Sequence, residues 1–285
     1  MEDILRTDFD LYSRYKVSSD IINRLRTKDI LKIADVGGNT NILSRLLPED
    51  EVCTLNKINY GLPNQVIGDI RKVDLPNNHF DVVLSLDTLE HIREEDRIAA
   101  IKEMLRISRE FAILGFPFKN ASIVINEGVA ARFYNALFKK DHIYLKEHAE
   151  NSLPSADLIS LFLNKSKKSH EIIKNTDLNI WLLLTIVGFY AENQYRFYQP
   201  YKELCRYFNE HLYELGNDPP YRKIFVISKR HKIRKIRSNH LYKKINVNKK
   251  IEIYHRILKT LEQINSANRQ GFFIKILKKI QRIQC

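Results

Sequence analysis

The segment that most constrains the fold of this chain is "LKIADVGGNTN", residues 31–41, where an apolar run ends in an acid and two glycines. The run Leu31–Val36 is predicted to be a buried strand that leads through a tight turn into a short helix. Gly37 and Gly38 suit such a turn because glycine takes positive φ and lets the backbone approach a ligand closely. An ordinary tight turn between a strand and a helix has the same sequence pattern, so the segment alone leaves both interpretations open.

The asparagines of this turn, Asn39 and Asn41, stand where further small residues would be expected. Asparagine tolerates the left-handed region better than most non-glycine residues, so the sequence predicts that the turn keeps its geometry.

Strands and helices are predicted to alternate through the rest of the chain. The segment "FDVVLSL" is β-rich and follows a turn-forming "PNNH", and the spacing of apolar residues in "RIAAIKEMLRIS" is helical. This alternation predicts an α/β fold with a doubly wound, mostly parallel sheet. A late segment, "KIFVIS", is predicted as an edge strand. The other predicted elements are a helix at Asn41–Leu47 and strands at Val52–Ile58, Gln65–Ile70, Phe80–Leu86, Glu110–Phe116 and near "HEIIKN".

Charge divides the 285-residue chain into two parts. Residues 229–285 hold 17 of the 47 basic residues and 2 of the 34 acidic ones, which leaves 30 basic and 32 acidic residues in 1–228. The sequence therefore predicts a nearly neutral body, residues 1–229, followed by a basic tail, residues 230–285.

Several features of the sequence argue against other classes of protein. The charged N-terminus predicts no signal peptide, and the 12-residue apolar run from Ile180 is too short to span a bilayer. The three cysteines (Cys53, Cys205 and Cys285) lie far apart and form neither a metal-binding spacing nor a disulfide framework. We therefore expect a cytoplasmic protein with no metal site.

A second segment makes the interpretation more specific. The stretch "GDIRKVDLPNNHFDVVLSLDTLEHI", residues 68–92, follows the glycine turn at the distance expected within one βαβ set. Together the two segments resemble class I S-adenosylmethionine (SAM)-dependent methyltransferases of the type 11-like branch. The resemblance covers residues 30–117 well. It implies a seven-stranded Rossmann-like sheet, a methyltransferase activity and SAM as cofactor.

The resemblance also implies which residues bind SAM. Residues at the glycine turn would line its methionine and ribose, those after the third strand its adenine, and those ending the fourth strand its sulfonium. Asn56 stands where an acid usually binds the ribose hydroxyls, and an amide bonds a diol without the strength of a charged group. The implied cofactor-binding residues are Asp35, Gly37, Gly38, Asn39, Asn56, Asp69, Ile70, Leu86 and Asp87.

Residues 118–170 resemble the helical lid of methyltransferases that accompany glycan and cell-surface polysaccharide synthesis. The segment here is "YLKEHAENSLP", with Ser152 in place of the family's glycine. The resemblance directs His142, Glu147 and His148 toward the acceptor. The predicted catalytic residues are His91, Glu147 and His148, because a hydroxyl acceptor benefits from a general base. Each has a structural alternative: His91 would anchor the following helix, and Glu147 and His148 would be solvated surface residues.

The tail ends in "GFFIKILKKIQRIQC", which places Phe273, Ile276, Leu277, Ile280 and Ile283 on one helical face with basic residues off it. A basic amphipathic helix is typical of a membrane-surface element, and anionic lipid is the predicted partner at the inner membrane face. A helix docked on the body or in an oligomer, and a nucleic-acid arm, remain alternatives.

Three functions therefore stay open at the sequence level. The first is methyl transfer to a saccharide or lipid-linked glycan, and the second is an RNA-directed methyltransferase that uses the tail. The third is a binding protein that kept the fold and lost the chemistry, an alternative that the asparagines at 39, 41 and 56 support.

Overall fold

A computed structural model describes residues 3–216, 219–229 and 247–267. Seven strands form one sheet in the order β3-β2-β1-β4-β5-β7-β6. The first five in this order pair in parallel, whereas β7 runs antiparallel to both of its neighbours. The doubly wound α/β fold with a seven-stranded, mostly parallel sheet is thereby confirmed. The strands are β1 Lys32–Val36, β2 Glu51–Asn56, β3 Gln65–Ile67, β4 Phe80–Leu86, β5 Ser108–Pro117, β6 Ser169–Asp177 and β7 Pro220–Ser228.

Helices cover both faces of the sheet, because alternate residues of each buried strand point to opposite sides. Ile33, Val82 and Leu84 belong to one apolar cluster, and Ala34 and Val83 belong to the other. The α-helices are α1 Phe9–Leu25, α2 Ile42–Leu46, α3 Arg97–Ile107, α4 Ala121–Phe138, α5 Ile143–Asn151, α6 Ala156–Lys165, α7 Leu178–Asn193, α8 Tyr198–His211 and α9 Val247–Ala267.

The prediction that "KIFVIS" forms an edge strand is wrong. These residues belong to β7, which lies between β5 and β6 in the sheet. All but one of the residues of β7 are buried, as a central strand requires, whereas the first half of β6 is partly exposed and suits the edge. Apolar content alone did not distinguish the two strands, because their order depends on pairing across the chain.

Helix α1 was not predicted from the sequence, although it forms part of the core. Asp8 caps its N-terminus by accepting hydrogen bonds from the amides of Asp10 and Leu11. Its residues Ile21 and Ile22 are buried against the same face of the sheet as β1 and β4. The helix thereby brings polar residues of its first two turns to the carboxyl edge of the sheet.

Three helices, α4, α5 and α6, form the segment between β5 and β6. At the end of α5, Ser152 has φ of +56°, a conformation that favours glycine. Nη2 of the buried Arg97 donates to the carbonyl oxygens of Asn151 and Ser152, which holds this turn in place. Ser152 therefore adopts the backbone geometry expected of the glycine that stands here in the family it resembles.

Helix α9 packs against α7 and α8, so this part of the basic tail contacts the body. Ile253, Ile257 and Ile264 are buried in the larger core cluster, and the Arg256 guanidinium lies 4.3 Å from the ring centroid of Tyr207. The predicted amphipathic helix that begins near Phe273 lies outside the described residues. Among the helices that the structure does describe, none has the length and apolar character needed to cross a membrane.

The packing of α9 predicts a contrast between two adjacent residues. Ile257 is 1% exposed and Leu258 is 55% exposed. We expect Ile257→Ala to lower the free energy of unfolding by about 2–5 kcal/mol, because it removes buried methyl groups and leaves a cavity. Leu258→Ala should change it by no more than about 0.5 kcal/mol. Urea unfolding of both variants measures this, and equal effects would contradict the observed packing.

Candidate active site

One cleft runs along the carboxyl edge of the parallel strands, where α/β sheets bind their ligands. Its volume is about 1100 Å³, and the turns after β1, β2, β3 and β4 form its floor. Residues of α1, α5, α7 and α8 form the opposite wall. The predicted site residues that line it are Gly37, Asn39, Asn56, Asp69, Ile70, Leu86, Asp87, His91, Glu147 and His148.

The glycine turn is built differently from the prediction. Gly37 has φ of +80°, but Gly38, Asn39 and Asn41 do not take positive φ. A Cβ on Gly37 would lie 2.2 Å from Oγ1 of Thr88, and one on Gly38 would lie 2.3 Å from Oδ2 of Asp35. The turn thus has one left-handed residue, and both glycines allow close packing of the polypeptide itself. The asparagines need no left-handed geometry.

Asp35 is buried behind the cleft and does not line it. Its Oδ2 accepts a hydrogen bond of 2.8 Å from the hydroxyl of Tyr15 on α1. Burial raises the pKa of Asp35 from its ordinary value of 3.8 to about 7, against the opposing effects of Tyr15 and Arg14. The acid at the end of β1 therefore joins the glycine turn to α1.

The residues predicted to bind ribose and adenine already have partners in the chain. Nδ2 of Asn56 donates to the Gly38 carbonyl at 3.0 Å, and its Oδ1 accepts from the amide of Ile58. The carboxylate of Asp69 pairs with Arg71 and Lys57, and these hydrogen bonds hold its pKa well below the ordinary range. Asn56 thus fixes the β1 turn to the end of β2.

Asp87, at the end of β4, belongs to a buried charge network that the sequence did not reveal. Nε and Nη2 of Arg222, on β7, donate to the two oxygens of Asp87, and Nη2 also donates to Asp10 on α1. Arg14 contacts the same two carboxylates, at 2.9 Å from Asp10 and 3.1 Å from Asp87. Burial alone would raise the pKa of Asp87, but the two guanidinium groups outweigh this effect and lower it.

His91 follows Asp87 in the 3-10 helix Leu89–His91. Its Nδ1 lies 2.7 Å from Oε2 of Glu147, on α5, and its ring centroid lies 4.9 Å from that of His148. The structure therefore brings the three residues with predicted catalytic roles to one end of the cleft. The alternative for His148, a solvated surface residue, is wrong because this side chain is 7% exposed.

His148 pairs with a different carboxylate, that of Glu127 on α4. Its Nδ1 lies 3.0 Å from Oε1 of Glu127, which also accepts a hydrogen bond of 2.8 Å from the hydroxyl of Tyr221. Burial would lower the pKa of His148, but its hydrogen bond to Glu127 and the charges nearby raise it. Glu90, which is fully buried, lies beside it, and burial raises the pKa of that carboxyl to about 8.

Sequence reasoning missed the residues of this site that lie far from the two family segments. Glu127 and Arg222 belong to α4 and β7, and nothing in their local sequence marks them. Arg14 and Tyr15 follow a capped helix start, "DFDLYSRY", so recognition of the Asp8 cap would have found α1.

Comparison with known proteins supports the interpretation of the fold. The model of the family described as "Methyltransferase domain" matches residues 43–114, a segment that runs from α2 into β5. None of the curated proteins compared with the chain matches it.

Solved structures share the fold at low sequence identity. The plantazolicin methyltransferase in complex with SAH and a monoazolic analogue has a TM-score of 0.50 and 14% identity, over 79% of this chain and 86% of that one. The magnesium protoporphyrin IX methyltransferase of Synechocystis PCC 6803, with bound SAH, has a TM-score of 0.47 and 13% identity, over 80% and 89% of the two chains. The matched segment indicates that this chain has a methyltransferase domain, which implies SAM as the methyl donor, and the fold is shared with a methyltransferase solved with SAH.

The described residues fit that cofactor in charge as well as in shape. Nε of Arg14, a residue that lines the cleft, is buried and has no hydrogen-bond partner within the part of the chain that the structure describes. The methionine part of SAM carries a carboxylate, which supplies the missing acceptor. Acidic residues along the cleft also suit the positive charge of the sulfonium.

The raised pKa of Asp35 predicts a pH-dependent stability. The folded protein keeps the Asp35 proton up to about pH 7, whereas the unfolded chain releases it near pH 4. The contribution of this group to stability is therefore full at low pH and is lost as pH rises through the folded pKa. Between pH 5 and 8, Asp35→Asn should gain roughly 2–3 kcal/mol of unfolding free energy relative to wild type.

Urea unfolding of both proteins at several pH values tests this prediction. The asparagine side chain of the Asp35→Asn variant keeps an acceptor for the Tyr15 hydroxyl, and all other titrating groups cancel in the difference between the two proteins. A difference that stays constant from pH 5 to pH 8 would show that Asp35 is ionised throughout.

Proposed function

We propose that this SAM-dependent methyltransferase transfers its methyl group to a hydroxyl of a saccharide or of a lipid-linked glycan. The observation that carries the proposal is the pairing of each of two histidines, His91 and His148, with a carboxylate at one end of the cleft. Such pairs orient an imidazole and set its tautomer, which is what proton removal from a hydroxyl acceptor requires.

The size of the cleft supports two ligands side by side. A volume of about 1100 Å³ slightly exceeds the roughly 300–1,000 Å³ of a pocket for one drug-sized molecule. SAM would occupy the half between the glycine turn and Ile70. The acceptor would then enter the half between α5, α7 and β7, with its hydroxyl toward His148.

The main contribution of the protein to methyl transfer is to align the two reactants. The sulfonium supplies an activated methyl group, so the rate depends on how well the chain aligns the attacking oxygen with the methyl carbon. His148 is well placed for this, because Glu127 fixes its Nδ1 and leaves Nε2 toward the buried Glu90. The histidine and carboxylate groups would hold the acceptor hydroxyl and receive its proton.

Aromatic residues support a saccharide in the acceptor half. Trp181 stacks on Tyr221 with ring centroids 3.9 Å apart, and both rings line the cleft. Tyr144 and Tyr201 line it as well. Aromatic rings offer flat apolar faces beside hydroxyl groups, a combination that suits the apolar faces and polar edges of a sugar ring.

The basic tail supports an acceptor at a membrane surface. Residues 229–285 contain 17 basic and 2 acidic residues, and each basic side chain near anionic lipid contributes on the order of 1 kcal/mol to binding. Peripheral association at the inner membrane face would bring a lipid-linked glycan to the cleft. Exposed charges are screened by salt, so this association would weaken as ionic strength rises.

The proposal predicts that the two ends of the cleft affect different steps. His148→Gln should lower kcat by at least about a hundredfold, because it removes the group that handles the acceptor proton, while SAM affinity stays within about threefold. Asp69→Asn should weaken SAM binding and leave kcat nearly unchanged, since Asp69 lies at the predicted adenine end of the cleft. SAM affinity is measured by calorimetry, and turnover by transfer of a radiolabelled methyl group.

The acceptors for this experiment are free saccharides and lipid-linked diphosphate saccharides. The same compounds with their hydroxyls already methylated serve as the matched control. A folded His148→Gln variant that turns over like the wild type would exclude the proposed role of this end of the cleft. Transfer to the hydroxyl-blocked compounds would exclude a hydroxyl acceptor.

A further inference from the structure

Three potential metal ligands meet at the acceptor end of the cleft. Glu90, His91 and His148 each offer one ligand atom, and these atoms all lie within 4.8 Å of one another. Glu90 is 0% exposed and His148 is 7% exposed. The ligands come from the 3-10 helix after β4 and from α5, so the fold and not a local sequence motif brings them together.

Both histidines have Nδ1 occupied by a carboxylate, which leaves Nε2 as the ring nitrogen that can bind a metal ion. Nδ1 of His91 pairs with Glu147 at 2.7 Å, and Nδ1 of His148 pairs with Glu127 at 3.0 Å. Because a carboxylate accepts, each Nδ1 carries a proton, and in the neutral ring each Nε2 then keeps the lone pair that a metal ion needs. Histidine ligands of metal ions in proteins nearly always donate their second ring N–H to a carboxylate or carbonyl in this way.

The buried carboxyl group of Glu90 is a second observation in favour of a bound cation, independent of the distances within the cluster. Both of its carboxylate oxygens are buried and have no hydrogen-bond partner within residues 3–216, 219–229 and 247–267. Its Oε1 lies 4.0 Å from Nε2 of His148, which is too long for a hydrogen bond. A buried carboxyl group without a partner is costly, unless it binds a positive charge.

We propose that Glu90, His91 and His148 bind one divalent transition-metal ion at the acceptor end of the cleft. Two imidazoles and one carboxylate favour zinc and its neighbours in the first row over magnesium or calcium, which prefer oxygen ligands. Ligands of one zinc ion lie roughly 3 to 3.5 Å apart, so small side-chain rotations would close the remaining gaps. Three protein ligands leave an open position toward the cleft.

The open position gives the ion a role that rests on the proposed hydroxyl acceptor: with Nε2 of His148 bound to the ion, the ion takes over from that ring the activation of the hydroxyl. An acceptor hydroxyl bound to the ion would lose its proton more readily, because a metal ion lowers the pKa of a bound oxygen. That oxygen would then attack the methyl carbon: the O–C bond forms as the C–S bond breaks. SAH leaves with the bonding electron pair on sulfur, and the proton passes to solvent beside the half-exposed Glu147.

Zinc binding is measured without reference to activity. The purified full-length protein is stripped with a chelator, dialysed against zinc alone, and analysed for bound metal. We expect the wild type to bind one zinc ion per chain, and we expect this binding to require Glu90, His91 and His148. Glu127→Gln, which removes the orienting partner of His148, should weaken zinc binding about 10–100-fold, and Glu90→Gln or His148→Ala should weaken it further.

His142→Asn is the matched control. His142 lines the same cleft and caps α5, but it is not one of the three clustered groups, and asparagine keeps a side chain that can cap the helix. This variant should bind zinc as the wild type does. Zinc should also raise the melting temperature of the wild type and of His142→Asn, but not of Glu90→Gln, because binding to the native state stabilises it.

The proposal would be overturned if Glu90→Gln and His148→Ala bound zinc as well as the wild type does. It would also be overturned if the wild type failed to bind one zinc ion per chain at micromolar zinc. Methyl transfer at full rate by stripped protein in chelator would reject the catalytic role of the ion and leave the hydroxyl acceptor standing. Cluster-dependent zinc binding without transfer to any hydroxyl compound would support the metal site and reject the proposed acceptor.

Discussion

The buried guanidinium of Arg222 joins three of the elements that form the cleft. It is 0% exposed and bonds Asp87 at the end of β4 and Asp10 in the first turn of α1. Removal of one partner from such a group leaves an uncompensated buried charge, which typically costs about 3–5 kcal/mol. Because Arg222 belongs to β7, this one side chain ties the antiparallel strand to the central parallel strand and to the helix above it.

This network also sets the electrostatics of the cleft. Asp10 and Asp87 lie within contact of Arg14 and Arg222, so two negative charges at the centre of the cleft are balanced by two positive ones. The cluster of Glu90, His91 and His148 lies next to this network. Its charges are not balanced in the same way, because the buried carboxyl group of Glu90 has no hydrogen-bond partner among the described residues. A cation bound on the acceptor side, whether a metal ion or the sulfonium, would stabilise the ionised form of Glu90, which burial otherwise disfavours.

The sequence predicted the parts of the fold whose evidence is local. The boundaries of β4 were predicted correctly because a buried apolar strand follows a clear turn signal. The two segments that carry the family resemblance supply the turns that form the cleft floor. The order of β6 and β7 was missed because it depends on pairing between distant strands. Arg222, Glu127 and Tyr15 were missed for the same reason: each reaches the site only through packing. Positive φ was predicted for too many residues of the turn, since only Gly37 among residues 31–41 has it.

The central claim is that one cleft holds SAM at the glycine turn with its sulfur toward the histidine and carboxylate cluster. A crystal structure of the protein with SAH tests this most directly. The account predicts adenine beside Ile70, the methionine part near Arg14, and the sulfur between Asp87 and His148. SAH bound elsewhere, or bound with its sulfur turned away from His148, would contradict the account.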